Sequence, residues 1–470
     1  MKYKVYNILN SKSYTNAVLL FNVLMTFSVM YFMRKEISPD HFTYMYYVKG
    51  LEQGRYTYWW NFSNYIPDTF RNPGYPFLLY ILAKLSDNRW VFVIAQTGIY
   101  FVSIYYLLRI IKILFPKENR LVQNIFLTVL GISIVIPYYT SLIFPEITML
   151  FLIVFTTYYL LIFDKDKWQG YIVLGLLYGL MFQIRPVVLF LPFLIIAYLF
   201  IQYRGKYLYK YILMLCVYVF TMLPYGCWNL KQHGVFSVTP LEGGGGAMYL
   251  GYWSYKMPGY IETRYWYNKY EKNIISFVED KDVNNNIVAF NKEWDYIDSA
   301  CAKYLTAQDT LNVKIMRRYT GSLFITYNGT YTYEREKLLK KLAVQHYLDE
   351  PSYTFKVKLY TFFRLWFAGL DKNFFLNKPS FIAFVLLVLP FLVTFPAFLL
   401  FVLFVPYAIF RRKIAYKEAA LLLITMAYFG LIHLPFVLQS RYTIPVRPFM
   451  YILISIAICR LFFNSEKVRA

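Results

Sequence analysis

The chain has 470 residues, 58% of them hydrophobic and 21% aromatic, with only 16% charged and a mean hydropathy of +0.39. Soluble domains carry roughly 25% charged residues, and apolar runs long enough to cross a bilayer recur from end to end here, so a soluble globular protein is excluded. The formal net charge of +23 does not point to nucleic acid, because Lys and Arg gather at the ends of the apolar runs, as the positive-inside rule and contact with anionic lipid require.

Lys2, Lys4 and Lys12 precede the first apolar run, Asn16–Met33, and put the N-terminus in the cytoplasm. No small-residue cleavage site follows, so this run reads as an anchor and not a removed signal peptide. The next stretch, Glu36–Tyr80, is extracytoplasmic and rich in groups that a membrane rejects: Asp40, His41, Arg71 and a dense set of Tyr and Trp. Its apolar end, Gly74–Leu85, is too short to span and suits an interfacial helix. Further spans are expected at Trp90–Phe115, Leu121–Tyr138, Glu146–Phe163, Trp168–Phe182, Val187–Tyr203 and Tyr211–Cys227. Basic or charged turns (Arg109 to Arg120, Asp164 to Lys167, Arg204 to Lys210) fall on one side. A long polar segment, residues 228–376, then lies outside, with helices expected around Trp294–Leu305 and Tyr333–Leu348 and an amphipathic interface helix at Tyr360–Phe367. The apolar run Phe381–Phe410 carries Pro390, Pro396 and Pro406 and reads either as one kinked helix or as a helix plus a re-entrant piece. Spans at Ala419–Leu438 and Ile444–Phe463 close the chain with a cytoplasmic C-terminus.

The fold class is therefore an all-α polytopic membrane protein of about 10–12 transmembrane helices. It divides into an N-terminal transmembrane module (1–227) holding the first outer loop (34–89), an extracytoplasmic segment (228–376) and the C-terminal transmembrane helices (377–470). The cysteines Cys216, Cys227, Cys301 and Cys459 have no metal-ligand spacing; only Cys227 and Cys301 share an outer segment where a disulfide could form.

Two carboxylates, Asp40 and Glu146, and four arginines that break the positive-inside rule, Arg71, Arg185, Arg441 and Arg447, are expected at the outer membrane face. A single outer Arg is ordinarily solvated or bound to a lipid headgroup, but the guanidinium fork matches phosphate oxygens, and four such groups beside carboxylates suit a phosphate-linked lipid substrate. The carboxylate would take a proton from an acceptor hydroxyl while the arginines hold the leaving phosphate. Each residue also has a plainer role. Asp40 follows Ser38-Pro39 as a helix cap would, and Glu146 follows Pro145 at a helix start. His41 reads as a polar interface residue, a proton relay or a metal ligand. The aromatics from Tyr44 to Trp60 read as an interfacial belt or a sugar-stacking face, and the Gly243–Gly246 run as a flexible loop or a phosphate cradle.

Four stretches in order carry a family resemblance: Asp40 with Tyr44 and Gly54; Arg71-Asn72-Pro73-Gly74-Tyr75-Pro76; Arg185-Pro186 with the entry from Pro224 to Gly234; and Arg441-Tyr442-Thr443-Ile444-Pro445. In these the sequence resembles the GT-C superfamily of polyprenyl-phosphate-sugar glycosyltransferases, with most likeness to bacterial relatives of protein O-mannosyltransferases and of the lipid A aminoarabinose transferase. The resemblance implies an outer-leaflet site in which Asp40 is the loop-one catalytic carboxylate, Arg71 contacts the lipid phosphate and Glu146 is the second acidic position. It departs where many members have a second loop-one acid and this chain has His41. The expectation is an inverting, metal-independent transferase of a bacterial cytoplasmic membrane. Its partners would be the bilayer, a polyprenyl-phosphate sugar donor and a glycan, lipid or protein acceptor, with no nucleic acid. Asp40 would act as base, with Arg71, Glu146, Arg185, Arg441, Arg447, His41 and Tyr44 around the substrate. No cofactor is expected, with a divalent cation left open. A polymerase or ligase with a diphosphate-linked donor is a rival. A transporter or flippase is a weaker one, because the spans are nearly free of charge and no two halves look alike.

Overall fold

The structure, a computed structural model, describes residues 2–34, 39–62, 65–257, 282–305, 328–367, 380–437 and 439–463. Every regular element among them is helical, as a membrane-spanning chain requires when its backbone must satisfy itself. A short helix α1 (Lys2–Leu9) leads to α2 (Lys12–Phe32), which Ser11 caps by accepting the Tyr14 N–H at 3.1 Å. Helices α3 (Pro39–Glu52) and α4 (Gly74–Ala83) fill the first loop, the second of them where an interfacial helix was expected. It exposes Phe77 and Ile81 one turn apart, an apolar stripe of the kind that lies in a membrane interface. Helix α5 (Arg89–Leu114) begins at Asn88, whose side chain accepts the Trp90 N–H at 3.0 Å.

The expected third span is two pieces, α6 (Asn119–Ile132) and α7 (Val135–Thr140). Pro137 has no N–H for a continuing ladder and sits in the first turn of α7, where that absence does no harm. Ser133, in the break, pairs with the Tyr451 hydroxyl at 2.9 Å. Helices α8 (Glu146–Ile162) and α9 (Trp168–Ile184) follow, then a 3-10 turn (Pro186–Val188), α10 (Leu191–Gln202) and α11 (Leu208–His233). Helix α11 runs six residues past the 227 boundary read from hydropathy and stops at Gly234, whose φ of 71° needs glycine. Beyond it lie α12 (Gly244–Trp253), α13 (Val283–Cys301), α14 (Gly329–Asp349), α15 (Pro351–Phe367), α16 (Ser380–Phe410), α17 (Tyr416–Ile432) and α18 (Arg447–Ile458), with a 3-10 turn (Ser440–Thr443) before α18 and a π-helical turn (Cys459–Phe463) after it. The run Phe381–Phe410 is thus one helix. The four cysteines are free thiols.

Helices α2, α5, α11 and the Leu392–Phe410 part of α16 are long and apolar enough to cross a bilayer. Helices α8, α9 and α17, each 17 residues, reach the lower end of the spanning range of about 17–25. Helix α9 lies close against α11 because Gly175 and Gly179 face it; a Cβ would meet the Met214 carbonyl at 2.6 Å from the first and Thr221 Oγ1 at 2.1 Å from the second. Small residues four apart are how membrane helices gain contact without a hydrophobic driving force. Outside this bundle, α12, α13 and α14 enclose a second apolar core around Tyr249, Trp253, Phe290, Trp294 and Leu339.

The helix ends sort into two groups. At one end Arg460 meets Glu418 at 2.7 Å and Glu118 at 3.5 Å, while Lys210 donates to the carbonyls of Lys165 and Asp166 at 3.1 and 2.5 Å. At the other, Arg89 donates to the Met33 and Ser141 carbonyls at 3.3 and 2.8 Å. The residues singled out from the sequence collect at that second end.

Candidate active site: a row of alternating charges

Asp40 sits in the first turn of α3, where the helix dipole favours an anion. Tyr44 and Tyr47 follow at i+4 and i+7, on the same helix face. Arg71 is carried by a tight turn between α3 and α4. Asp68 Oδ2 accepts the backbone N–H of both Phe70 and Arg71 at 3.0 Å, and the Arg71 carbonyl accepts the hydroxyls of Tyr56 at 2.8 Å and Tyr225 at 3.0 Å. The next residues seat this turn on the end of α9. Asn72 donates to the Phe182 carbonyl at 3.1 Å, and Gly74 approaches Gln183 so closely that a Cβ would lie 2.7 Å from its backbone. Arg71 is thereby brought beside Arg185, which caps the C-terminus of α9. Glu146 opens α8 and is fully buried, and Arg441 lies in the 3-10 turn before α18.

These five side chains form one row. Arg71 Nη2 is 3.4 Å from Asp40 Oδ1, and Asp40 Oδ2 accepts Arg441 Nη1 at 2.7 Å. Arg441 Nε is 3.5 Å from Glu146 Oε1, which also accepts Arg185 Nη2 at 2.9 Å. Aromatic faces line the row: Arg71 lies 4.3 Å from the Phe70 ring and 5.2 Å from the Tyr44 ring, Arg441 4.6 Å from Phe144, and Arg185 5.4 Å from Tyr442. Three cations thus face two carboxylates. Glu146 Oε2, Arg71 Nε and Arg441 Nε are buried without a hydrogen bond, which an anionic or hydroxylated ligand would supply. Burial alone would raise the Asp40 carboxyl, but Arg441 and then Arg71 outweigh it and hold Asp40 below the usual carboxylate range. Burial likewise opposes the Arg71 charge, and Tyr44 and Asp40 more than offset it, so Arg71 stays protonated.

Tyr44 therefore joins the site through its ring, which also meets the edge of Tyr75 at 4.7 Å. Two expected members stand apart from the row. His41 packs edge-on to Phe42 at 5.5 Å, and burial and then Arg89 push it down to about 4, so it is neutral at neutral pH. Arg447 is fully buried, and its Nε donates to Thr443 Oγ1 at 3.0 Å and its Nη2 to the Leu365 carbonyl at 2.9 Å, tying α18 to the end of α15. The Gly243–Gly246 run starts α12, and the Gly246 N–H donates to Glu336 at 2.9 Å, an anion of the chain itself. Among the described residues no three His, Cys, Asp or Glu side chains converge as metal ligands.

Sequence reasoning passed over Asp68, and named Tyr442 only as part of the Arg441–Pro445 stretch, with no site role. The first had a local signal: an Asp two and three residues ahead of the amides that it accepts is an Asx-type turn. Tyr442 meets both Arg185 and His433, whose ring stacks on it at 4.5 Å, and nothing local announces those contacts.

No curated protein and no solved structure matches the chain. Residues 70–228, about a third of it, match the dolichyl-phosphate-mannose-protein mannosyltransferase family. The matched stretch begins one residue before Arg71 and takes in Glu146 and Arg185, while Asp40 and Arg441 lie outside it. With its helical membrane architecture, this match supports membership of the GT-C superfamily and, with it, a membrane glycosyltransferase that uses a lipid-linked sugar.

Proposed function

We propose that the protein transfers a monosaccharide, with inversion, from a polyprenyl phosphate of the undecaprenyl kind to an envelope glycan, glycolipid or protein at the outer face of a bacterial cytoplasmic membrane. The observation that carries this reading is Arg441 bridging Asp40 and Glu146 in a row with one cation in excess. Asp40, ionised at neutral pH, takes the acceptor hydroxyl proton. The acceptor oxygen attacks the anomeric carbon, the bond from that carbon to the phosphate oxygen breaks, and the lipid phosphate leaves with the electron pair. Arg71, Arg441 and Arg185 stabilise the charge gathering on that phosphate. The donor phosphate also draws Arg71 and Arg441 away from Asp40, which raises the basicity of the carboxylate at the moment when the donor is in place. Glu146 holds Arg185 and Arg441 in position and keeps one oxygen for a substrate hydroxyl. A divalent cation would have to enter a site that is already net positive and whose two carboxylates already face guanidinium groups, which supports a metal-independent reaction. The outer location rests on the basic turns at the opposite end of the bundle, Arg204 to Lys210 and Arg411 to Lys413.

The test is sugar transfer from a purified polyprenyl-phosphate sugar in proteoliposomes. Asp40→Asn is expected to lower turnover by about 10²–10⁴-fold. Undiminished turnover would remove Asp40 from the base role.

A further inference from the structure

The turn that carries Arg71 is linked to the helix that carries Asp40 by one buried side chain. Asp68 is 2% exposed and makes no ion pair among the described residues. Its Oδ1 accepts the Tyr47 hydroxyl at 2.5 Å, and its Oδ2 accepts the amides of Phe70 and Arg71 at 3.0 Å. Tyr47 lies two turns along α3 from Asp40. The Asp68 carbonyl in turn meets His233 Nε2 of α11 at 2.8 Å. Base and phosphate ligand come from segments 31 residues apart, and this carboxylate spans the gap between them.

We propose that Asp68 is a positioning residue for the donor: by joining Tyr47 to the Arg71 backbone it fixes where the Arg71 guanidinium stands relative to Asp40. This rests on the donor role proposed for Arg71. The chemistry favours a carboxylate. An ionised Asp has two acceptor oxygens and no donor, and here one oxygen serves α3 and the other serves the turn. An Asn in the same shape can keep its oxygen on the two amides only by turning its NH₂ toward the Tyr47 hydroxyl, which reverses that bond and replaces two charge-assisted contacts with weaker neutral ones. On the far side of Arg71 the hydroxyls of Tyr56 and Tyr225 already fix its carbonyl. When the Asp68 side is released, the peptide pivots on that carbonyl, and the guanidinium swings with it.

The experiment uses the purified full-length protein in detergent and a fluorescent short-chain polyprenyl phosphate as probe. Asp68→Asn and Tyr47→Phe are each made alone and in an Arg71→Ala background. Both single changes are expected to weaken probe binding about three- to tenfold and to raise the donor KM alike, with the acceptor KM unchanged within about twofold; neither should weaken binding further once Arg71 is gone, because coupled residues are non-additive. A residue that only stabilised the fold would add its full effect in that background. Tyr47→Phe decides the matter if Asp68→Asn does not fold. If the wild-type protein binds the probe and Tyr47→Phe binds it equally well, or if the penalty persists undiminished without Arg71, this inference fails and the donor reading stands. If the wild-type protein does not bind the probe, both fail.

Discussion

Arg441 and Arg460 make the same kind of contact at opposite ends of the helical bundle, and the settings differ in charge balance. Arg460 is one cation between two carboxylates, at 2.7 Å from Glu418 and 3.5 Å from Glu118, and it also donates to the Lys413 carbonyl at 2.8 Å. Arg441 also lies between two carboxylates, but Arg71 and Arg185 flank them, and the row holds buried polar atoms that have no hydrogen bond. The first arrangement ties three helix ends together. The second has a surplus charge and open valences, and a native structure keeps such loose ends where a ligand completes them.

Removing either arginine breaks this comparison in a different observable. Arg441→Lys keeps the charge but loses the fork that reaches both carboxylates. It is expected to lower kcat/KM by about 10²–10³-fold with little change in thermal midpoint, read by transfer assays and differential scanning fluorimetry on the same sample. Arg460→Ala should do the reverse. It strands two partly buried carboxylates, so unfolding should become easier by about 2 kcal/mol, between the values for exposed and for buried pairs, while turnover of the folded fraction stays within about twofold. An Arg460→Ala protein with lost turnover and unchanged stability would abolish the distinction between the two ends.

A third test uses pH. Asp40 is held below its ordinary value of 3.8, so its pairing stabilises the fold above about pH 4 and is lost only as pH falls through the lower folded value. Between pH 7 and 5.5 Asp40 stays charged. Burial instead raises Asp68 to about 6, so it gains a proton in that window and accepts the Arg71 amide more weakly. The donor KM should therefore rise about threefold as pH falls from 7 to 5.5 in the wild type and stay flat in Asp68→Asn. The groups that face Asp68 are Tyr47 of α3, Tyr56, Tyr65 and Arg71 of its own loop, Tyr225 and His233 of α11, and Glu242. Of these, burial lifts Glu242 to about 7, so Glu242→Gln is the control and should leave the limb in place.

Asp40, Arg71, Glu146, Arg185 and Arg441 were legible in the sequence because an ionisable group at the end of an apolar run is costly and stands out. Arg447 stood out for the same reason and serves the fold instead. It is only six residues from Arg441, but one residue lies in a 3-10 turn and the other starts a helix, and the Leu365 carbonyl that Arg447 meets comes from a segment whose position no local pattern specifies. The turn at Asp68 had a local signal, but its link to α3 did not, because the partner hydroxyl is 21 residues upstream. The break at Ser133 and the extension of α11 to His233 escaped for a simpler reason: hydropathy reports what lipid tolerates, whereas helix ends follow backbone hydrogen bonding, which neither Pro137 nor the polar residues after Cys227 disclose through apolarity.

The bridge between Asp40 and Arg441 joins residues 401 positions apart. During synthesis and insertion, a chain that has emerged only as far as Phe410 already carries Asp40, Arg71, Glu146 and Arg185, yet it lacks the cation that holds the two carboxylates together. Assembly of the row therefore waits for the last helices, so on the proposed function a chain that ends at Phe410 is expected to show no turnover of donor lipid.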